Sequence, residues 1–96
     1  MGRSPRELVD GPWPDGNAAA DAPVAVHYAQ EIAVRLSVAL EGKSVKAVAE
    51  DAGLARSTVY DIVGGKSWAD IVSLAQLEVV LGVRLWPTEA PDRRAT

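Results

Sequence analysis

The chain has 96 residues, enough for a single core. Its hydrophobic share of 48% is weighted to Ala, Val and Leu, with no Phe, and such a palette favours close-packed helices over sheets. The absence of cysteine excludes disulfides, thiolate metal sites and cysteine nucleophiles, and a net charge of −3 is low for any chain held mainly by a polyanion.

The charged start around Arg3 and Arg6 is followed by no apolar run, so no signal peptide is expected. No apolar stretch approaches the roughly 18 residues of a membrane span, which makes the cytoplasm the default location. Residues 1–23 hold Gly2, Pro5, Gly11, Pro12, Pro14 and Gly16 and read as an irregular arm. Trp13, between two prolines, either packs back on the core or engages a partner. The arm carries Arg3 and Arg6 against four carboxylates, residues 24–87 carry six cations against seven, and residues 88–96 are neutral.

Helical periodicity fills residues 24–87. A first helix, capped near Asp21 with Pro23 in its first turn, sets Ala29, Ile32, Ala33, Leu36, Ala39 and Leu40 on one stripe and ends near Gly42. Ser44 caps a short second helix with Val45, Val48, Ala49 and Ala52 inward, and Gly53 stops it. A third helix from Arg56 to Val63 turns Val59 and Ile62 inward and ends at Gly64 and Gly65. Ser67 and Asp70 resemble a capping box for a fourth helix, with Ile71, Leu74, Ala75, Leu77 and Leu81 inward and Gly82 at its close. Residues 83–86 then form a lid, and residues 88–96 a flexible tail.

Two short helices joined by a three- or four-residue turn containing glycine form a helix-turn-helix signature. Around Gly53 the offsets fit. Ala49, four residues earlier, is small where the helices approach, and Val48, Ala52, Leu54, Val59 and Ile62 are apolar where burial is required.

Val45-Lys-Ala-Val-Ala-Glu-Asp-Ala-Gly-Leu-Ala-Arg-Ser-Thr-Val-Tyr-Asp-Ile resembles the Cro/C1-type (XRE) helix-turn-helix family. Ser73-Leu-Ala-Gln-Leu-Glu-Val-Val-Leu-Gly-Val-Arg-Leu-Trp is similar to the helix that follows the family's recognition helix. The similarity spans about two thirds of the chain and leaves out the arm. It implies an all-α, four- to five-helix, lambda-repressor-like domain that binds duplex DNA sequence-specifically. A near-neutral monomer falls short of the affinity of a specific binder, so a homodimer is expected, and with no effector domain beside it the simplest mechanism is that of a repressor that occludes a promoter.

In that family the second helix of the motif enters the major groove by its N-terminal end. The resemblance therefore sets Ala55, Arg56, Ser57, Tyr60, Asp61 and Gly64 outward. Arg56 is the base reader, able to contact guanine bidentately. Ser57 and Thr58 reach a phosphate or a base edge, and Tyr60 a thymine methyl or a phosphate. Lys43, Ser44, Lys46 and Lys66 serve flanking phosphates. Two features depart from the pattern: Ala55 is a poor cap, and Asp61 either accepts from cytosine or repels phosphate.

The plainer readings stand beside these. The four cations are also solvated surface charges in any helical protein, and Tyr60 can be a half-buried packing residue. Trp68 and Trp86 are core or edge packing, or a dimer contact. His27 has no companion at ligand spacing, and Glu50 with Asp51 is a solvated pair, so no metal, cofactor or enzymatic activity is expected. The acidic total, Asp61 and Trp13 favour a rival role as a protein-interaction or antitoxin-like adaptor with a protein partner.

Overall fold

The computed structural model describes residues 3–87, so the expected tail lies outside the described residues. Four helices carry the fold: α1 (Ala25–Leu40), α2 (Val45–Ala52), α3 (Arg56–Val63) and α4 (Ile71–Leu81). A 3-10 helix (Pro5–Leu8) and an antiparallel ribbon of β1 (Val9–Asp10) and β2 (Asn17–Ala18) precede them, with Val9 opposite Ala18. The described chain is therefore mostly helical with a small sheet, and strictly all-α is a correction. Breakers at Gly11, Pro12, Pro14 and Gly16 forbid long elements but suit the loop that returns β2 beside β1.

The helices enclose one core. Ile32 and Leu36 of α1 meet Val48, Ala49 and Ala52 of α2, Val59 and Ile62 of α3, and Leu74 and Leu77 of α4. Leu85, fully buried, closes it after α4, so the expected lid is real at this one residue; Val83 and Trp86 remain exposed. The stretch is tied down by Glu78, whose Oε2 accepts from the amides of Leu85 at 2.7 Å and Trp86 at 3.0 Å.

A second, smaller cluster joins the arm to α1, with Leu8, Val9, Ala22 and Val26 buried and Trp13 and Trp68 against them. Trp13 thus packs back on the chain. Its Nε1 donates to the Val63 carbonyl at 2.9 Å, while the Gln30 amide donates to the carbonyls of Pro14 and Gly16 at 3.0 and 2.7 Å. The arm's backbone joins in, with the Arg6 amide donating to the Gly65 carbonyl at 2.9 Å. Gly65 is required at this contact: its φ is +69°, and a Cβ there would lie 2.5 to 2.9 Å from three atoms of the Trp13 ring.

Three details of the helices differ from the expectation. α1 begins after Val24 with no side-chain cap, so neither Asp21 nor Pro23 starts it. The cap of α4 is Asp70 and not Ser67: its carboxylate accepts from the Ser73 amide at 2.7 Å and the Ser73 hydroxyl at 3.0 Å. That shift of register leaves Ile71 and Ala75 outward, and Ile71 is 77% exposed. At 100° per residue, Ile71, Ala75, Val79, Val72 and Gln76 share one outward arc of α4. The helix is apolar all round, so periodicity could not distinguish its two faces. No helix among the described residues is long and apolar enough to cross a membrane.

Candidate nucleic-acid interface

The segment around Gly53 folds as its offsets require. α2 ends at Ala52, three residues follow, and α3 begins at Arg56. Ser44 caps α2, its Oγ accepting from the Ala47 amide at 3.2 Å. Gly53 has φ +72° and ψ +29°, the left-handed conformation, and its amide donates back toward Ala49 and Glu50. The Leu54 amide also donates to the Ala49 carbonyl at 2.9 Å, so the chain reverses at once into α3. Ala49 is 1% exposed at the junction of the helices, where a larger side chain would hold them apart.

With Val59 and Ile62 committed to the core, the opposite face of α3 must point to solvent. Arg56 and Ser57 are exposed at its leading end, Thr58 is half-buried, and Tyr60 is 57% exposed. Tyr60 is thus a surface residue, and its reading as half-buried packing is corrected. Ala55 occupies the cap position without a capping side chain. The Thr58 amide donates to the Ala55 carbonyl at 3.1 Å, and the amides before it lie at the same end of α3 as Arg56, where the helix dipole is positive.

Lys43, Lys46 and Lys66 are exposed. Among the described residues the only ion pair is Arg35 with Glu31, at 3.3 Å, so none of these lysines, nor Arg56, is neutralised by a carboxylate. Ser44 is exposed as well; capping uses an acceptor lone pair of its hydroxyl and leaves the proton able to donate. Asp61 is half-buried near the far end of α3, where its carbonyl accepts from the amides of Lys66 and Ser67 at 2.9 and 3.4 Å. It is the one anion on the outward side of α3.

The two ends of α3 differ. Its N-terminal end is open. Its C-terminal end is bordered by the arm: Arg6, Glu7, Gly11 and Trp13 surround Val63 and Gly64 in a depression of about 500 Å³. The breaker pattern and net −2 charge of the arm concealed this contact; the signal present was an isolated Trp with a ring N–H to satisfy.

The surface also carries apolar groups. Trp86 is 44% exposed and packs on Tyr28 with ring centroids 5.4 Å apart, beside the outward arc of α4. Comparison with protein-family models, with curated proteins and with solved structures finds no match.

Proposed function

We propose that the chain is a sequence-specific duplex-DNA-binding regulator of the Cro/C1 type, lambda-repressor-like in architecture and acting in the cytoplasm as a repressor that occludes a promoter. The observation that carries the reading is α3 itself. Its outward face is solvent-exposed, it begins without a capping side chain, and it presents Arg56 unpaired beside Ser57 and Tyr60. Side chains and dipole of this kind suit the floor and walls of a major groove. Arg56 reads a guanine, Ser57, Thr58 and Tyr60 contact base edges or phosphate, and Lys43, Ser44, Lys46 and Lys66 contact phosphates. Asp61 selects against phosphate and for a cytosine amino group. No catalytic or cofactor role is assigned.

A near-neutral monomer has few phosphate contacts to offer, which motivates a homodimer on two half-sites. The outward arc of α4 supports it: Ile71, Val72 and Val79 are 77%, 70% and 81% exposed, and no charged side chain lies on that arc. Two copies can meet there without like-charge repulsion. The same exposed arc favours a second reading, an antitoxin-like adaptor whose α4 binds a different protein. Selection from a random duplex pool at fixed salt decides between them. A recovered palindrome supports the regulator; no enrichment, with a stoichiometric protein partner on purification and no heparin retention, supports the adaptor.

A further inference from the structure

The polar residues at the start of the arm take no part in the core, and the later carboxylates Asp10, Asp15 and Asp21 lie outside the cleft that the first residues line. Arg3, Ser4, Arg6 and Glu7 instead face Lys66, Ser67 and Trp68 across an open cleft of about 760 Å³. Its two walls are 65 residues apart in sequence and are held together at both levels of the chain. The Trp68 indole N–H donates to the Arg3 carbonyl at 2.9 Å, and the Arg6 amide donates to the Gly65 carbonyl at 2.9 Å.

Three cations therefore share the cleft with one carboxylate. That carboxylate is already engaged, since Glu7 Oε1 accepts from the Ser4 amide at 2.8 Å and the Ser4 hydroxyl at 2.9 Å. None of the three cations is ion-paired among the described residues. Glu7 offsets part of this charge, being close enough to Arg3 and Arg6 to feel their attraction, and the three cations leave the hydroxyl-bearing trough with a positive excess, which suits phosphate. Its openness and its lack of a buried polar anchor suit a backbone that passes along it better than a small anion that must be enclosed.

Lys66 lies three residues beyond the end of α3, and Arg6 also borders the depression over Val63 and Gly64. The eight residues of α3 extend about 12 Å, roughly the width of a major groove. Arg56 stands at one end of that span and the cleft at the other.

We propose that the docked arm makes this cleft a phosphodiester-binding site, in which Arg3 and Arg6 join Lys66 on the backbone of the duplex that α3 engages. The proposal rests on the DNA-binding reading above and adds to it a role for the arm.

The test is fluorescence anisotropy of a labelled random-sequence duplex titrated with the full chain between about 50 and 200 mM salt. The double variant Arg3→Ala/Arg6→Ala is expected to bind at least about fivefold more weakly at the lower salt, with a log–log salt slope shallower by about 1 to 2. Glu7→Gln keeps the acceptor for Ser4, removes the only negative charge of the cleft and is expected to bind more tightly. Circular dichroism and thermal melting verify the fold of each variant. If the parent chain binds and the double variant matches it in affinity and slope, the cleft proposal falls while the role of α3 stands. If the parent chain binds no duplex at low salt, both fall. Displacement by pyrophosphate beyond the effect of equal ionic strength, lost in the double variant, reassigns the cleft to a free phosphate ligand and overturns the duplex proposal.

Discussion

Arg56 and Lys46 are both exposed cations, but they differ in what they can distinguish. A guanidinium at the tip of α3 can match two acceptors of one guanine, whereas an ammonium on α2 meets phosphates that every sequence shares. Arg56→Ala should therefore weaken binding to a selected site by about 1 to 3 kcal/mol and relax one base position, while Lys46→Ala should weaken all sequences alike and reduce the salt slope by about 1. Competitive mobility shifts with selected and scrambled duplexes measure both; equal losses on the two duplexes for Arg56→Ala would deny it the reading role. Gly53 gives a separate test of the turn. A Cβ there has no atom within 4 Å, so Gly53→Ala costs only the strain of its positive φ, about 1 to 2 kcal/mol in denaturant melts, and Gly53→Asn should cost less. The exposed positions at the start of α3 were legible in the sequence because they sit at fixed offsets from one glycine. Arg3 and Arg6 were not, because nothing local in the arm encodes a contact with Lys66 and Trp68 so far along the chain.

α2 and α3 were readable as elements because each is short, amphipathic and punctuated: Ser44 caps one and Gly53 separates the two. α4 was readable as a helix but not in its orientation, since valines and leucines surround it on every side. Its cap resolved the ambiguity, with Asp70 rather than Ser67 accepting the Ser73 amide. Carboxylates fasten three elements in this way, and the same contacts set the response to acid. Hydrogen bonds from the Ser4 amide and hydroxyl hold Glu7 below its ordinary value of 4.5, those from Ser73 hold Asp70 below 3.8, and the Trp86 and Leu85 amides hold Glu78 below 4.5. Between the lowered and the ordinary values the unfolded chain binds more protons than the folded one. The stability these groups contribute is complete above about pH 4.5 and is lost as pH falls through the lowered values. Thermal melts from pH 7 to pH 3 should show a flat region and then a decline. In Glu78→Gln the decline should be smaller, and the variant should be less stable at pH 7 by about 1 to 2 kcal/mol through loss of charged acceptance from two amides. A decline unaltered by that substitution would contradict the assignment.

For the whole molecule, the low net charge is resolved by placement. Arg56 stands at the open end of α3, Arg3, Arg6 and Lys66 gather past its other end, and the outward arc of α4 carries no charge at all. An apolar arc of this kind is expected to find a partner, and under the proposed reading that partner is a second copy. Val72→Lys and Val79→Glu should each shift sedimentation from dimer to monomer and weaken binding to a palindrome far more than to a single half-site; a parent chain monomeric at micromolar concentration would contradict the dimer. The central claim is that α3 is the surface that meets DNA. Amide chemical shifts recorded while a selected duplex is added to isotope-labelled protein test it most directly. The account predicts the largest changes at Arg56, Ser57, Thr58 and Tyr60, with smaller ones at Lys43, Lys46 and Lys66. Changes confined to α4 and Trp86, with α3 unmoved at saturation, would contradict it.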